Sequence, residues 1–244
     1  HLGPAGAALG TTLSQALSVL IALLAIRKRR MISLQKSDLR PQKAVMGQIL
    51  RIGLPVLAQD GLVQIGFLII TIIANQRGLT DAAVGIVEKF ISFVFLVPSS
   101  LLSTVSALAA QNLGADKPER ARQTLWDSIA LALGFGVVAA IAIQFCVSGV
   151  VGLFTPDAAT ITAGANYLRG YIFDCMFAGI HFCFSGYFCA CGKSGLSFLH
   201  SILAIVLIRV PGAYLMSRLF PQTLLPMGLA TAAGSLFSAI LCTL

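Results

Sequence analysis

Charge is what this 244-residue sequence has least of. Only 11% of its residues are Asp, Glu, Lys or Arg, and just nine are acidic, against about 25% charged in a typical soluble domain. So few ionic groups could not cover a water-exposed globule of this size, which excludes the ordinary soluble classes. The charge is missing in blocks: segments 4–26, 90–111, 128–155, 175–192 and 219–244 contain none. Each is close to or beyond the ~20 residues that a helix needs to cross a ~30 Å hydrocarbon core. Strict alternation of apolar and polar residues is also lacking, which excludes an outer-membrane barrel. Helices then remain, because lipid leaves the backbone no other way to satisfy its polar groups. Catalytic signatures are missing as well. There is no His-Glu-x-x-His and no Gly-x-Ser-x-Gly, so an enzyme is not expected. Gly192-Lys193-Ser194 imitates a phosphate-binding loop, but Gly186 lies one residue too far upstream and no strand precedes it.

Six cysteines are present, and all lie within apolar segments or at their ends, where they read as small soft apolar residues. Cys189-x-Cys191 lacks the second pair or nearby His that a zinc site needs. Further crossings, interrupted by one or two charges, fit 52–74 and 195–216. Seven spans result, roughly 5–26, 52–74, 82–108, 128–150, 161–190, 195–216 and 227–244.

The net charge is +8, and its distribution decides what it means. Alternate connections hold Arg27, Lys28, Arg29, Arg30, Lys36, Arg40 and Lys43, then Lys117, Arg120 and Arg122, then Lys193. The opposite connections hold only Arg77 and Arg218. This asymmetry follows the positive-inside rule and places the basic loops in the cytoplasm of a multi-pass cell-membrane protein. The expected partner of that charge is anionic lipid, not nucleic acid. The basic cluster follows the first apolar run instead of preceding it, so that run is no signal peptide. The absence of an initiating Met, and chain ends that fall inside apolar runs, lead us to expect a piece of a longer protein.

Pro41 opens a stretch in which Val45, Ile49 and Ile52 share one helical face, which predicts an interfacial helix on the cytoplasmic surface before the second span. Pro55, Pro98 and Pro211 stand inside spans, where each removes a backbone donor and tends to kink its helix.

Intramembrane charge costs about 2.5–3.5 kcal/mol per residue on insertion scales, so each such residue points to function. Asp60, Glu88, Lys89 and Asp174 fall within spans, with Arg169 and Arg209 beside them. At ~1.5 Å per residue, Asp60 and Asp174 are expected in one layer near mid-depth, about 10–14 Å from the cytoplasmic edge, with Gln59 and Gln64 nearby. Glu88, Lys89 and Arg169 are expected in a second, outer layer, where they could simply neutralise one another. Arg209 reads as a structural, snorkelling residue. A carboxyl in a low-dielectric site can take up a proton or sodium ion on one side and release it on the other. The candidate ion-coupling and substrate-binding residues are therefore Asp60, Asp174, Glu88, Lys89, Gln64 and Arg169, with Na+ conceivable at Asp60 and Asp174 and no other metal expected.

Several motifs carry a family resemblance. They are Gly53-Leu54-Pro55 opening a span, Gln111-Asn112-Leu113-Gly114-Ala115 followed by Lys117-Pro118-Glu119-Arg120-Ala121, Leu153-Phe154 before Asp157, Gly192-Lys193-Ser194 and Val210-Pro211. In this order they resemble the multidrug and toxic compound extrusion (MATE) family. The resemblance implies an all-α polytopic bundle of about seven spans from a twelve-helix exporter. Residues 1–26 would be the last helix of the first lobe, 27–46 a cytoplasmic inter-lobe loop with the interfacial helix, and 47–244 the second lobe, truncated at its C-terminus. It also implies antiport, in which small organic, often cationic, compounds leave in exchange for Na+ or H+ by alternating access. The expected partners are that substrate, the lipid bilayer and the missing N-terminal lobe, with no cofactor beyond the coupling ion. Glu88 resembles an acid in the Val-Gly-x-Val-Glu-Lys pattern of some bacterial members. Val63 and Gln64 stand where the sodium-binding branch carries its acid, and Cys189-Ala190 replaces the usual Arg-Gly pair of the fourth helix. The alternatives are a lipid-linked oligosaccharide flippase, which would need a basic cavity, and a seven-helix receptor, whose last span here has no Lys for a Schiff base.

Overall fold

A computed structural model describes residues 3–29, 41–75 and 81–244. Every element in them is helical: α1 (Gly3–Arg29), α2 (Lys43–Asn75), α3 (Asp81–Val94), α4 (Leu96–Gly114), α5 (Pro118–Gly152), α6 (Ala158–Tyr171), α7 (Asp174–Ala190), α8 (Ser194–Leu203), a π-helical turn (Ala204–Arg209), α9 (Val210–Leu219) and α10 (Leu225–Thr243). Six stretches among the described residues are long and apolar enough to cross a membrane, or seven if the bent pair α6–α7 is one span. The expected helical membrane bundle is what forms. Contacts divide the chain into two units, 1–47 and 48–244. The first contains α1 and the opening residues of α2; most of the basic loop between them, and Arg77, lie outside the described residues.

The predicted interfacial helix needs correcting. Residues from Lys43 onward run straight into the span as one 33-residue helix that also absorbs Pro55. One missing amide costs one hydrogen bond, and nothing else between Lys43 and Asn75 interrupts the ladder. Pro98 acts more strongly: it cannot donate to the carbonyl of Val94, and the helix breaks between α3 and α4 at Phe95. Pro211 follows the π turn, where the five-residue bonding widens the helix just before a residue that has no amide to give.

Within the larger unit, α7 is the central post, packed against α4, α5, α8 and α10. Glycine makes this closeness available. A Cβ at Gly186 would strike the backbone carbonyl of Leu102 on α4, and one at Gly179 would lie 2.8 Å from the Ala132 side chain on α5. Gly170 of α6 and Gly228 of α10 face each other's backbones in the same way, the small-residue packing of membrane helices. The interior holds Ile70, Val87, Val147, Leu168 and Ile172 in one cluster and Val105, Leu125, Ile129 and Phe184 in another. The opposite face of α5 presents Leu131, Val138, Ile141 and Phe145 outward, at the spacing of one helical stripe. Such a face suits hydrocarbon.

Loop chemistry explains the most specific sequence motif. Asp116, between α4 and α5, has φ 56°, the amide of Lys117 returns to the Asn112 carbonyl at 2.9 Å, and Pro118 starts α5 with its fixed φ. Gly192 has φ 68° and lets the Lys193 amide close α7 on the Phe188 carbonyl at 2.8 Å, a helix stop and not a phosphate loop.

Candidate functional site

The residues of interest meet where α2, α3, α6, α7 and the π turn converge. Asp174 opens α7 and is wholly buried. Arg209 ends the π turn, and its Nη2 donates to Asp174 Oδ2 at 2.7 Å. The same nitrogen stands 3.4 Å from the Tyr171 hydroxyl, and the guanidinium carbon lies 5.0 Å from the centre of the Phe67 ring. A charge taken out of water survives only when paired, and Arg209 is paired by a carboxylate, a phenol and an aromatic face. Ser235 of α10 stands beside the Asp174 carboxyl. Asp174 Oδ1 and Arg209 Nε are nevertheless buried without a hydrogen-bond partner.

Glu88 comes from α3. It is half-buried, and its Oε1 accepts from the Thr71 hydroxyl of α2 at 2.9 Å, with Arg209 and Lys89 in electrostatic reach. Beside it is a cavity of about 360 Å³ walled by Phe67, Phe95, Tyr171 and Phe182, with Glu88 and Gln64 among its polar groups. Phe95 and Phe182 meet edge to face, their centres 6.1 Å apart. A half-shell of aromatic rings around one carboxylate can receive an organic cation through ring faces and charge together.

The two expected layers regroup. Asp174 heads α7, about 24 Å from that helix's far end at ~1.5 Å per residue, deeper than the expected 10–14 Å. The span 161–190 is longer than the bilayer is thick, so a count from its outer end and a count from Ala190 give different depths, and the ion pair sets Asp174 beside Arg209. Asp174 therefore shares its layer with Glu88 and Arg209. Asp60 is exposed on α2, on the stripe that continues through Gln64, Phe67 and Thr71 at helical spacing. Gln59, next to it, is buried and accepts from the Ser197 hydroxyl at 2.7 Å. Lys89 and Arg169 are exposed, and the Glu88–Lys89–Arg169 cluster does not form. Neighbours in sequence point about 100° apart on a helix, so Lys89 turns outward as Glu88 turns in. Among the described residues the Arg209–Asp174 pair is the ion pair that forms.

Sequence reasoning read Arg209 as a structural, snorkelling residue and did not single out Tyr171, Phe67 or Thr71. Arg209 stands two residues before Pro211, but a charge near a proline does not say which group it pairs with. Aromatic and Thr residues are too common in apolar helices to be singled out.

With this geometry in hand, known proteins can be compared. The MatE family model matches residues 55–215. The multidrug export protein MepA of Staphylococcus saprophyticus is 26% identical over 224 residues, covering 91% of this chain and 49% of its own. MepA of a bovine strain of Staphylococcus aureus is 27% identical over 225 residues, with the same coverage. A mutant of the Vibrio cholerae MATE transporter VcmN shares the fold with a TM-score of 0.88 at 18% identity, over 99% of this chain and 55% of its own. The chain thus spans about half the length of the curated relatives it matches. With the family model covering most of α2 through α9, the chain belongs to the MatE family.

Proposed function

We propose that the protein containing this chain exports organic cations from the cell across the cell membrane, in exchange for Na+ or H+, by alternating access. It is read as a carrier and not an enzyme. The observation that carries this reading is the aromatic cavity around Glu88, set against the buried Arg209–Asp174 pair. Relatives named as multidrug exporters agree with it.

The exchange follows from competition for a small number of negative charges. An organic cation in the cavity is held by Glu88 and by the faces of Phe67, Phe95 and Phe182. A proton or sodium ion arriving at the acids removes that charge, directly at Glu88 or by drawing Arg209 from Asp174 toward Glu88. Asp174 Oδ1, buried, turned away from Arg209's bond to Oδ2 and with Ser235 beside the carboxyl, is the oxygen that would take the coupling ion. Tyr171, which lines the cavity and lies in reach of Arg209, connects the two. Asp60 and Gln64 would receive the substrate along the α2 stripe; Lys89 and Arg169 would act only through the field they add.

The test is transport by the full-length protein in liposomes, with sodium and proton gradients imposed one at a time. Glu88→Gln is expected to weaken substrate binding by roughly ten-fold, the worth of a charge-assisted contact. Asp174→Asn is expected to abolish the response to the driving gradient. Wild-type efflux from both variants would remove these acids from the mechanism.

A further inference from the structure

A second, much smaller cavity also touches Arg209. It measures about 30 Å³ and is walled by Val63, Ile205 and Gly234. Its polar lining comes from Arg209, His181, Ser201, Ser235 and Ser238. Two of these residues carry buried polar atoms without a hydrogen-bond partner, Arg209 Nε and His181 Nδ1. His181 is 9% exposed, so bulk solvent does not serve its ring. Native proteins leave few such atoms unsatisfied, and here the two residues that carry them line one space with room for a water molecule, with serine hydroxyls in the same lining to complete the two to four partners a buried water requires.

We propose that this cavity binds a single water molecule shared by Arg209 Nε and His181 Nδ1, through which His181 orients the guanidinium on Asp174. The directions of the bonds follow from the groups. Arg209 Nε–H can only donate, so the water accepts from it, and in the proposed arrangement it donates one hydrogen to His181 Nδ1. That fixes the His181 ring proton on Nε2. The second water hydrogen goes to a serine oxygen in the lining. The neighbouring His200 does not compete: its Nδ1 is 2.7 Å from the Ser238 hydroxyl and its Nε2 is 3.0 Å from that of Ser185.

The consequence is mechanical. Asp174, Tyr171 and the Phe67 ring hold the far end of the guanidinium, and a bond at Nε adds a second point that fixes the turn of its plane. His181 stands two turns after Asp174 on α7, on the same stripe, so one helix holds both ends of the arginine's anchorage. Gly234 makes room on the other side, since a Cβ there would come within 3.0 Å of Arg209 Cβ. His181 is a positioning residue in this arrangement. It touches neither the exported cation nor the coupling ion.

The effect on transport rests on Asp174 being the coupling acid, whereas the water itself does not, and the experiment separates them. A cryo-electron microscopy map of the full-length protein, at a resolution that shows ordered water, is expected to contain a peak within hydrogen-bonding distance of both Arg209 Nε and His181 Nδ1. An empty or collapsed cavity in that map would overturn the proposal, whatever any variant does. For transport, His181→Asn places an amide oxygen near the Nδ1 position and is expected to keep gradient-driven efflux within about two-fold of wild type. His181→Phe fills the ring volume without an acceptor and is expected to lower it roughly ten-fold, as for loss of a hydrogen bond to a charged group. Equal losses in both variants, or no loss in His181→Phe, would overturn the positioning role. If Asp174→Asn itself transports normally, the coupling reading fails while the map still decides the water.

Discussion

Truncating Arg209 while keeping Asp174 strands a carboxylate that has no solvent contact, and breaking a buried pair this way costs about 3–5 kcal/mol. Arg209→Ala is therefore expected to lower the Tm of the purified protein sharply, and the double variant Asp174→Asn with Arg209→Gln to recover most of the loss. A double-variant melt as low as that of Arg209→Ala would show that the pair is not what stabilises this layer. Outside the membrane, Asp157 caps α6 by accepting from the Thr160 amide at 2.8 Å and from its hydroxyl. Those two bonds hold its carboxyl below the ordinary carboxylate range. The folded state is the one with the lower pKa, so the cap's stabilisation is complete above the unfolded carboxylate value near 3.8 and fades as the pH falls through the folded value. Asp157→Asn, measured by melting across an acid titration, is expected to flatten that acid limb. Single residues were partly legible in the sequence. Asp174 and Glu88 announced themselves as charge where charge is expensive, whereas Arg209 read as a snorkeller because sequence position does not show which way a long side chain leaves its helix.

At the scale of elements, the glycines of α7 divide into those that meet a neighbour and those elsewhere that do not. Gly186→Ala forces a methyl into the Leu102 carbonyl, and separating α4 from α7 is expected to cost about 1–3 kcal/mol, as overpacking does. Gly149→Ala in α5 meets nothing within 4 Å and is expected to be neutral or to stabilise by about 0.4–1 kcal/mol. Thermal melts of the two variants side by side check the contrast. The seven apolar stretches were legible from hydropathy, and the break at Phe95 could be traced to Pro98. The bend at 172–173 could not, because Ile172 and Phe173 are ordinary helix residues with no proline or glycine at that point to mark a break. Counting Asp174 from the outer end of an overlong span grouped it with Asp60, whereas its contacts group it with Arg209. The interfacial helix was misread because amphipathic spacing does not say whether a helix continues.

The whole molecule is a membrane-embedded bundle whose apolar exterior on α5 suits lipid, and composition alone made that legible. The family was legible too, because the Gln111–Ala121 motif encodes a particular loop geometry and not merely hydrophobicity. The 244-residue chain, about half as long as its relatives, is expected to drive no gradient-dependent efflux when reconstituted alone. Dye-release assays against the full-length protein would check this, and gradient-driven efflux by the chain alone would contradict it. One feature of the fold bears on how the site arose. The π turn at Ala204–Arg209 packs a surplus residue into a helix that otherwise keeps regular pitch. Deleting one residue there would return the segment to α-helical bonding and narrow it, with the helix on either side kept close to its present register, because the widened turn is what absorbs the extra residue. Arg209 thus reaches Asp174 from the end of a locally widened stretch of helix, and a one-codon deletion in that stretch would measure how far the width itself sets the length of the guanidinium's reach.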